Sequence, residues 1–142
     1  MRAILAIVAG VIAALLTQSL VDLAANQFYP AAITDMWDRR QLSEAFAARP
    51  TGALLLNVAG FFLGGLAGAA LAKRLAGAGW ILWVPPGLLA LMALLVAFSF
   101  PLPAWTWFAT FAAPLIGGLI ANHLVGDRPE AGTAAPDGIG DA

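Results

Sequence analysis

Four apolar blocks, Ala3 to Leu23, Gly52 to Ala72, Trp80 to Phe100 and Trp105 to Val125, occupy most of this chain. Each runs to roughly 20 residues, which at about 1.5 Å per residue is what an α-helix needs to cross a hydrocarbon core of about 30 Å. With no water at hand, a backbone in lipid must satisfy its own N–H and C=O groups, so such segments cross as helices. Composition agrees: 61% of the 142 residues are hydrophobic and only 11% are charged, against about 25% charged in soluble domains. The expected fold is all-α, a four-transmembrane-helix bundle with spans over about 3–23, 52–72, 80–100 and 105–125 making one domain, 1–125. Residues 126–142 are polar and small, cannot bury a core, and are expected to form a disordered tail.

Composition also removes whole classes of chemistry. A net charge of −1 supplies no basic field for nucleic acid. The absence of cysteine excludes disulfide frameworks, cysteine metal sites and thiol redox chemistry. No phosphate-binding glycine loop, nucleophile elbow or metalloprotease motif occurs. The single histidine, His123, has no neighbouring Asp, Glu or Cys and reads as an interfacial side chain rather than a ligand. Asp22 and His123 are expected near opposite surfaces, so no acid–base pair shares one depth. No enzyme activity, metal or cofactor is therefore expected. Arg2 and the small residues after Leu23 would suit a secretory signal, but the apolar run exceeds the roughly 7–15 residues of such a segment, so it is read as a retained helix.

Lysine and arginine near the span ends set the expected orientation. With the N-terminus inside, Arg2, Lys73, Arg74 and Arg128 are cytoplasmic, and Arg39, Arg40 and Arg49 lie outside. Lys73 and Arg74 begin a tight turn at a membrane edge, which favours both termini being cytoplasmic. Trp80 and Trp83, and Trp105 and Trp107, mark span starts where amphipathic rings favour the headgroup level, with Tyr29 and Trp37 as the matching outer belt. In the outer loop, Thr34 or Asp35 can cap a short amphipathic helix over about 35–48. Asp35 with Arg39, and Arg40 with Glu44, are spaced as i,i+4 pairs, while Leu42 and Phe46 form an apolar stripe that Pro50 ends. That helix is expected to serve as a lid.

Within the spans, small residues recur every fourth position. Gly60, Gly64, Gly68 and Ala72 form one ladder, which Gly65 and Ala69 widen; Ala6, Gly10, Ala14, Gln18 and Asp22 form a matching stripe. Helix association in lipid relies on close packing and interhelical hydrogen bonds, so these faces are expected to meet. Gln18 and Asn57 each lie five residues inside the outer boundary, about 7–8 Å deep. They are expected to hydrogen-bond, with Asp22 just above. The third and fourth spans are expected to face mainly lipid, with Pro114, Gly118 and Asn122 on one face of the fourth and Pro85 and Pro86 offsetting the first turn of the third.

Two resemblances bear on function. The segment from Thr51 to Gly64, with Asn57, Gly60 and Gly64, resembles the second helix of Fluc-type fluoride channels, four-span proteins that work as antiparallel dimers. That likeness would make Asn57 a pore residue. The first span lacks that family's glycine-rich stretch followed by arginine, and the third reads Ala97-Phe98-Ser99-Phe100 where the family has Thr-Thr-Phe-Ser. The layout as a whole, with Tyr29-Pro30 before a loop helix and a glycine-rich second span ending in Lys73-Arg74, is similar to small four-span bacterial inner-membrane proteins that carry no known activity. The expected function is a non-enzymatic structural or accessory membrane subunit, with a small oligomeric channel or transporter using Gln18, Asp22 and Asn57 as the alternative. Expected partners are the lipid bilayer and either further copies of the chain or a larger membrane complex, without nucleic acid.

Overall fold

A proline ends the first long helix, and two basic residues lengthen the next long one. In the computed structural model, which describes residues 1–30, 35, 37–76 and 79–126, helix α1 covers Arg2–Phe28. It therefore outruns the apolar block that ends at Leu23. Ala24 to Phe28 continue the helix because nothing in them resists it; Tyr29, preceding Pro30, leaves the α region as a pre-proline residue does. Helix α2 is Arg39–Ala47 and α3 is Thr51–Ala76. The turn expected to start at Lys73 starts after Ala76 instead, because Lys73 and Arg74 suit the negative end of a helix and extend it. A 3-10 turn, Ile81–Trp83, leads into α4, Val84–Ser99, and α5 covers Ala104–Leu124. Gly77 and Ala78 of the α3–α4 turn, Thr34, and the tail beyond Gly126 lie outside the described residues.

The protein is all-helical among the described residues, and four of its helical segments are long and apolar enough to cross a membrane. It is built as a multi-pass membrane protein. α3 is the axis: α1 packs on one side of it and α5 on another, with α4 bridging α1, α3 and α5. α1 and α3 run antiparallel in a strict register. Ala6 clusters with Ala72, Gly10 meets Gly68, Ala14 meets Gly64 and Gln18 meets Gly60, each step of four up one helix matching a step of four down the other. The expected stripe on α1 is thus its buried face. A β-carbon on Gly68 would fall 2.7 Å from the Gly10 carbonyl oxygen, so glycine is what lets these backbones touch.

Three expectations need correction. Gly65 and Ala69 do not widen the α1-facing groove; they face α5. One residue step turns a helix by about 100°, so Gly65 cannot share the face of Gly64. A β-carbon on Gly65 would meet Pro114 backbone, its Cα at 2.5 Å, and one on Gly117 would meet α3, the Leu66 nitrogen at 2.7 Å. Hence α5 and α4 each dock one face on the bundle, which the sequence did not reveal, while most of each span stays unburied. Pro85 and Pro86 of α4 sit in the first turn, where a missing N–H costs nothing, and both are fully buried, Pro85 over Gly10 and Gly68 and Pro86 over Gly118.

The third correction concerns α2. Its cap is Asp38, whose carboxylate accepts from the Arg40 and Gln41 N–H groups, not Thr34 or Asp35. Asp35 instead accepts from the Trp37 N–H at 2.8 Å in a local turn. Arg40 and Glu44 pair at 3.1 Å as their spacing implies, the one ion pair among the described residues. Both side chains are exposed, so the pair contributes no more than about 0.5 kcal/mol.

Candidate functional site

The polar residues of the spans gather at two places. The first is at the α2 end of the bundle. Asp22, half-buried on α1, accepts from Gln18 Nε2 at 3.2 Å through one carboxylate oxygen and from Asn57 Nδ2 at 3.1 Å through the other. Gln18 and Asn57 were expected to bond to each other; they meet through Asp22 instead. The register explains why: Gln18 lies opposite Gly60, with its Oε1 resting where a side chain would be, and Asn57 lies almost one turn nearer the helix start, opposite Asp22. Gln18 is nine-tenths buried, and its Oε1 has no hydrogen-bond partner among the described residues.

These three residues line a cavity of about 240 Å³. Thr106 and Thr110 of α5 close its far wall, both buried. Their hydroxyls donate to carbonyls of their own chain, Thr106 to Pro103 and Thr110 to Thr106, each at 2.6 Å. Each hydroxyl proton is thereby committed, and the lone pairs are what the threonines have left to offer. Leu89 of α4 and Phe61 of α3 lie in the cluster that floors the space, with Ala14, Ala93 and Ala113.

The α2 segment reaches this cavity through two side chains. Phe46 stacks on Phe100, ring centroids 4.2 Å apart, and the Arg49 guanidinium sits 4.9 Å over the Phe46 ring. Both Phe46 and Arg49 line the cavity. Phe46, stacked on Phe100, thus anchors α2 beside the cavity. Replacing Phe46 by alanine removes a stacked pair of about 0.5–1.5 kcal/mol, so labelling of a single cysteine at Thr106 by an impermeant maleimide is expected to quicken by up to about tenfold. The chain has no native cysteine to confuse the reading. An unchanged rate would mean that Phe46 does not screen the cavity.

The second polar place is at the opposite end. Lys73, buried on α3, donates from Nζ to the Asn122 backbone oxygen at 3.0 Å and to Asn122 Oδ1 at 2.9 Å. This pairing was missed in the sequence, where Lys73 reads as a turn residue. The signal was present: Gly65, Ala69 and Lys73 are spaced four apart, on the face that meets α5. Thr106 and Thr110 were missed likewise, though they too are four apart. His123 is exposed near the end of α5, far along the bundle from Asp22. No group of three His, Cys, Asp or Glu side chains comes together among the described residues.

Comparison with known proteins adds no relative: no family model, no curated protein and no solved structure matches the chain. Function must therefore be argued from the two polar places and the helix faces alone.

Proposed function

We propose that this is a non-enzymatic structural or accessory protein of the bacterial inner membrane, acting as a self-contained bundle rather than as a pore. One observation carries the reading: the small-residue faces are consumed within one chain. Gly60, Gly64 and Gly68 are covered by α1, and Gly65 by α5, so none of these ladder glycines is left to form a pore wall with a second copy. The distribution of polar groups supports it. From Val58 to Ala72 α3 carries no polar side chain, so Asn57 and Lys73 are separated by roughly 24 Å of apolar helix. Arg2, Lys73 and Arg74, at the end opposite α2, support a cytoplasmic location for both termini.

The test is reconstitution of the full chain in liposomes, together with its mass in lipid nanodiscs. One copy per disc and no ion flux above protein-free vesicles is the expected result. A homo-oligomer whose flux falls at least about tenfold in Asp22→Asn would overturn it and establish the second reading, a small transporter. The half-buried Asp22 facing a cavity is the observation that favours that alternative.

A further inference from the structure

Most of the wall around Asp22 is hydrocarbon: Leu15 of α1, Leu54 and Phe61 of α3, and Leu89 and Met92 of α4 line the cavity with it. At about 240 Å³ the space is smaller than the roughly 300–1,000 Å³ of sites that take a drug-sized ligand. It is larger than the roughly 150 Å³ apolar cavity that takes benzene. A benzene-sized ring with a short arm is therefore the scale of guest it can hold.

Asp22 sets the chemistry of the arm. Its carboxylate accepts one hydrogen bond at each oxygen, from Gln18 and Asn57, and so keeps lone pairs for further donors. No cation lies within ion-pair distance of it among the described residues. Arg49 lines the same cavity, yet its guanidinium rests 4.9 Å over the Phe46 ring instead of on Asp22. The uncharged polar groups of the lining have acceptors to spare as well. Gln18 Oε1 has no partner among the described residues, and the Thr106 and Thr110 hydroxyls have committed their protons. A carboxylate in a mostly apolar wall gains most from a partner that is charged and donates hydrogen bonds, because a charge away from water is costly until it is paired. A primary ammonium has three N–H donors, one positive charge and no acceptor. An alkylamine, like the lysine side chain, carries that charge at neutral pH.

We propose that this cavity binds a small apolar primary amine in its ammonium form, with the nitrogen at Asp22 and the hydrocarbon body against Leu15, Phe61, Leu89 and Met92. The guest lies wholly within the one cavity, and Arg49, bearing a like charge, opposes it rather than holding it. A ligand site goes beyond the proposed function, since a bundle that conducts nothing can still hold a guest. Its test uses detergent micelles, which have no second compartment, so its outcome is independent of the flux that decides that reading.

The experiment is titration of the purified full chain, in an uncharged detergent at neutral pH, with radiolabelled phenethylamine, uptake by protein-free micelles being subtracted. Phenethyl alcohol and trimethyl-phenethylammonium serve as competitors. The alcohol keeps the ring and arm without the charge, and the quaternary amine keeps the charge without an N–H donor. Saturable binding of one amine per chain is expected, at least about tenfold tighter than either competitor, the difference that charge-assisted hydrogen bonds make. In Asp22→Asn the margin over the alcohol is expected to fall below about threefold, the carboxylate's charge being gone while its shape remains. In Arg49→Gln the amine is expected to bind as tightly, or up to about threefold tighter, because a like charge has been removed. Equal binding of amine and alcohol by the unmutated protein, or uptake that never saturates, overturns the proposal whether or not any variant folds. A margin that survives Asp22→Asn in a variant of unchanged helical spectrum overturns it as well, as does a loss of about tenfold or more in Arg49→Gln.

Discussion

Alanine at Gly65 or Gly117 is expected to cost roughly 3 kcal/mol of stability, the upper part of the range for overpacking a close-packed contact. The reason is where the new methyl would land. At Gly65 it meets the Pro114 backbone, with the Cα at 2.5 Å and the carbonyl carbon at 2.8 Å; at Gly117 it meets the Phe62 carbonyl oxygen and the Leu66 nitrogen of α3. A backbone within a helix cannot swing aside as a side chain does, so α5 must move away from α3 as a body. Gly60 is the instructive contrast. Its added β-carbon meets Gln18 Oε1 at 2.7 Å and Gln18 Cδ at 3.1 Å, the far end of a side chain that borders open space. Gly60→Ala should therefore disturb the Asp22 cluster more than the fold. Gly87, helical with nothing within 4 Å of an added β-carbon, is the control. There alanine is expected to be neutral or to add up to about 1 kcal/mol, the helix-propensity difference. Thermal unfolding in detergent, followed by circular dichroism, ranks the variants. If Gly65→Ala melts no lower than Gly87→Ala, the close α3–α5 contact is wrong.

This ranking separates what periodicity can reveal from what it cannot. The α1–α3 contact was legible in the sequence because both partners repeat small residues at four-residue spacing, and two such stripes in lipid have one evident way to pack. The α3–α5 contact was not, although Gly65 and Gly117 make backbone approaches at least as close. Gly65 directly follows Gly64, and a one-residue offset reads as the same groove made wider until the helix is built, when it becomes a separate face. On α5 the contact hides among Pro114, Gly117 and Gly118, in which Gly118 belongs to Pro86 and Gly117 to α3. No count of small residues divides that pair.

The same limit applied to the polar cluster. Depth arithmetic set Gln18 and Asn57 at one level with Asp22 just above, whereas the fold sets Asn57 opposite Asp22 and Gln18 almost a turn deeper, opposite Gly60. It could not choose the hydrogen bonds, which depend on register to within half a turn. Nor could it supply Thr106, Thr110 and Arg49, which reach the cavity from α5 and from the segment after α2. Those come from elements whose approach to α1 depends on the α3–α5 contact and on Phe46 finding Phe100. A site assembled from four elements is legible only as far as its least legible contact.

Lys73 and Arg74 put this to a quantitative test, since in sequence they are equivalent: adjacent, basic and at the same membrane edge. In the fold Lys73 is 6% exposed and Arg74 is exposed. The α5 helix ends at Leu124, so the Asn122 carbonyl is among the last four, which have no donor within the helix. Lys73 Nζ supplies one, bonding the side-chain oxygen of Asn122 as well, and it sets a positive charge at the negative end of α5. Lys73→Met keeps the length and apolar stem but strands both oxygens in a buried setting. A hydrogen bond to a charged group is worth about 1.5–3 kcal/mol, so a loss of about 2 kcal/mol is expected. Arg74→Met removes the same charge from the same edge and is expected to change stability by no more than about 0.5 kcal/mol, as exposed substitutions do. Asn122→Ala should fall between them, because the backbone oxygen still receives Lys73. Unfolding midpoints for the three variants decide it: equal effects at 73 and 74 would reduce Lys73 to a topology signal, whereas the expected order makes it the strut that ties the end of α5 to α3.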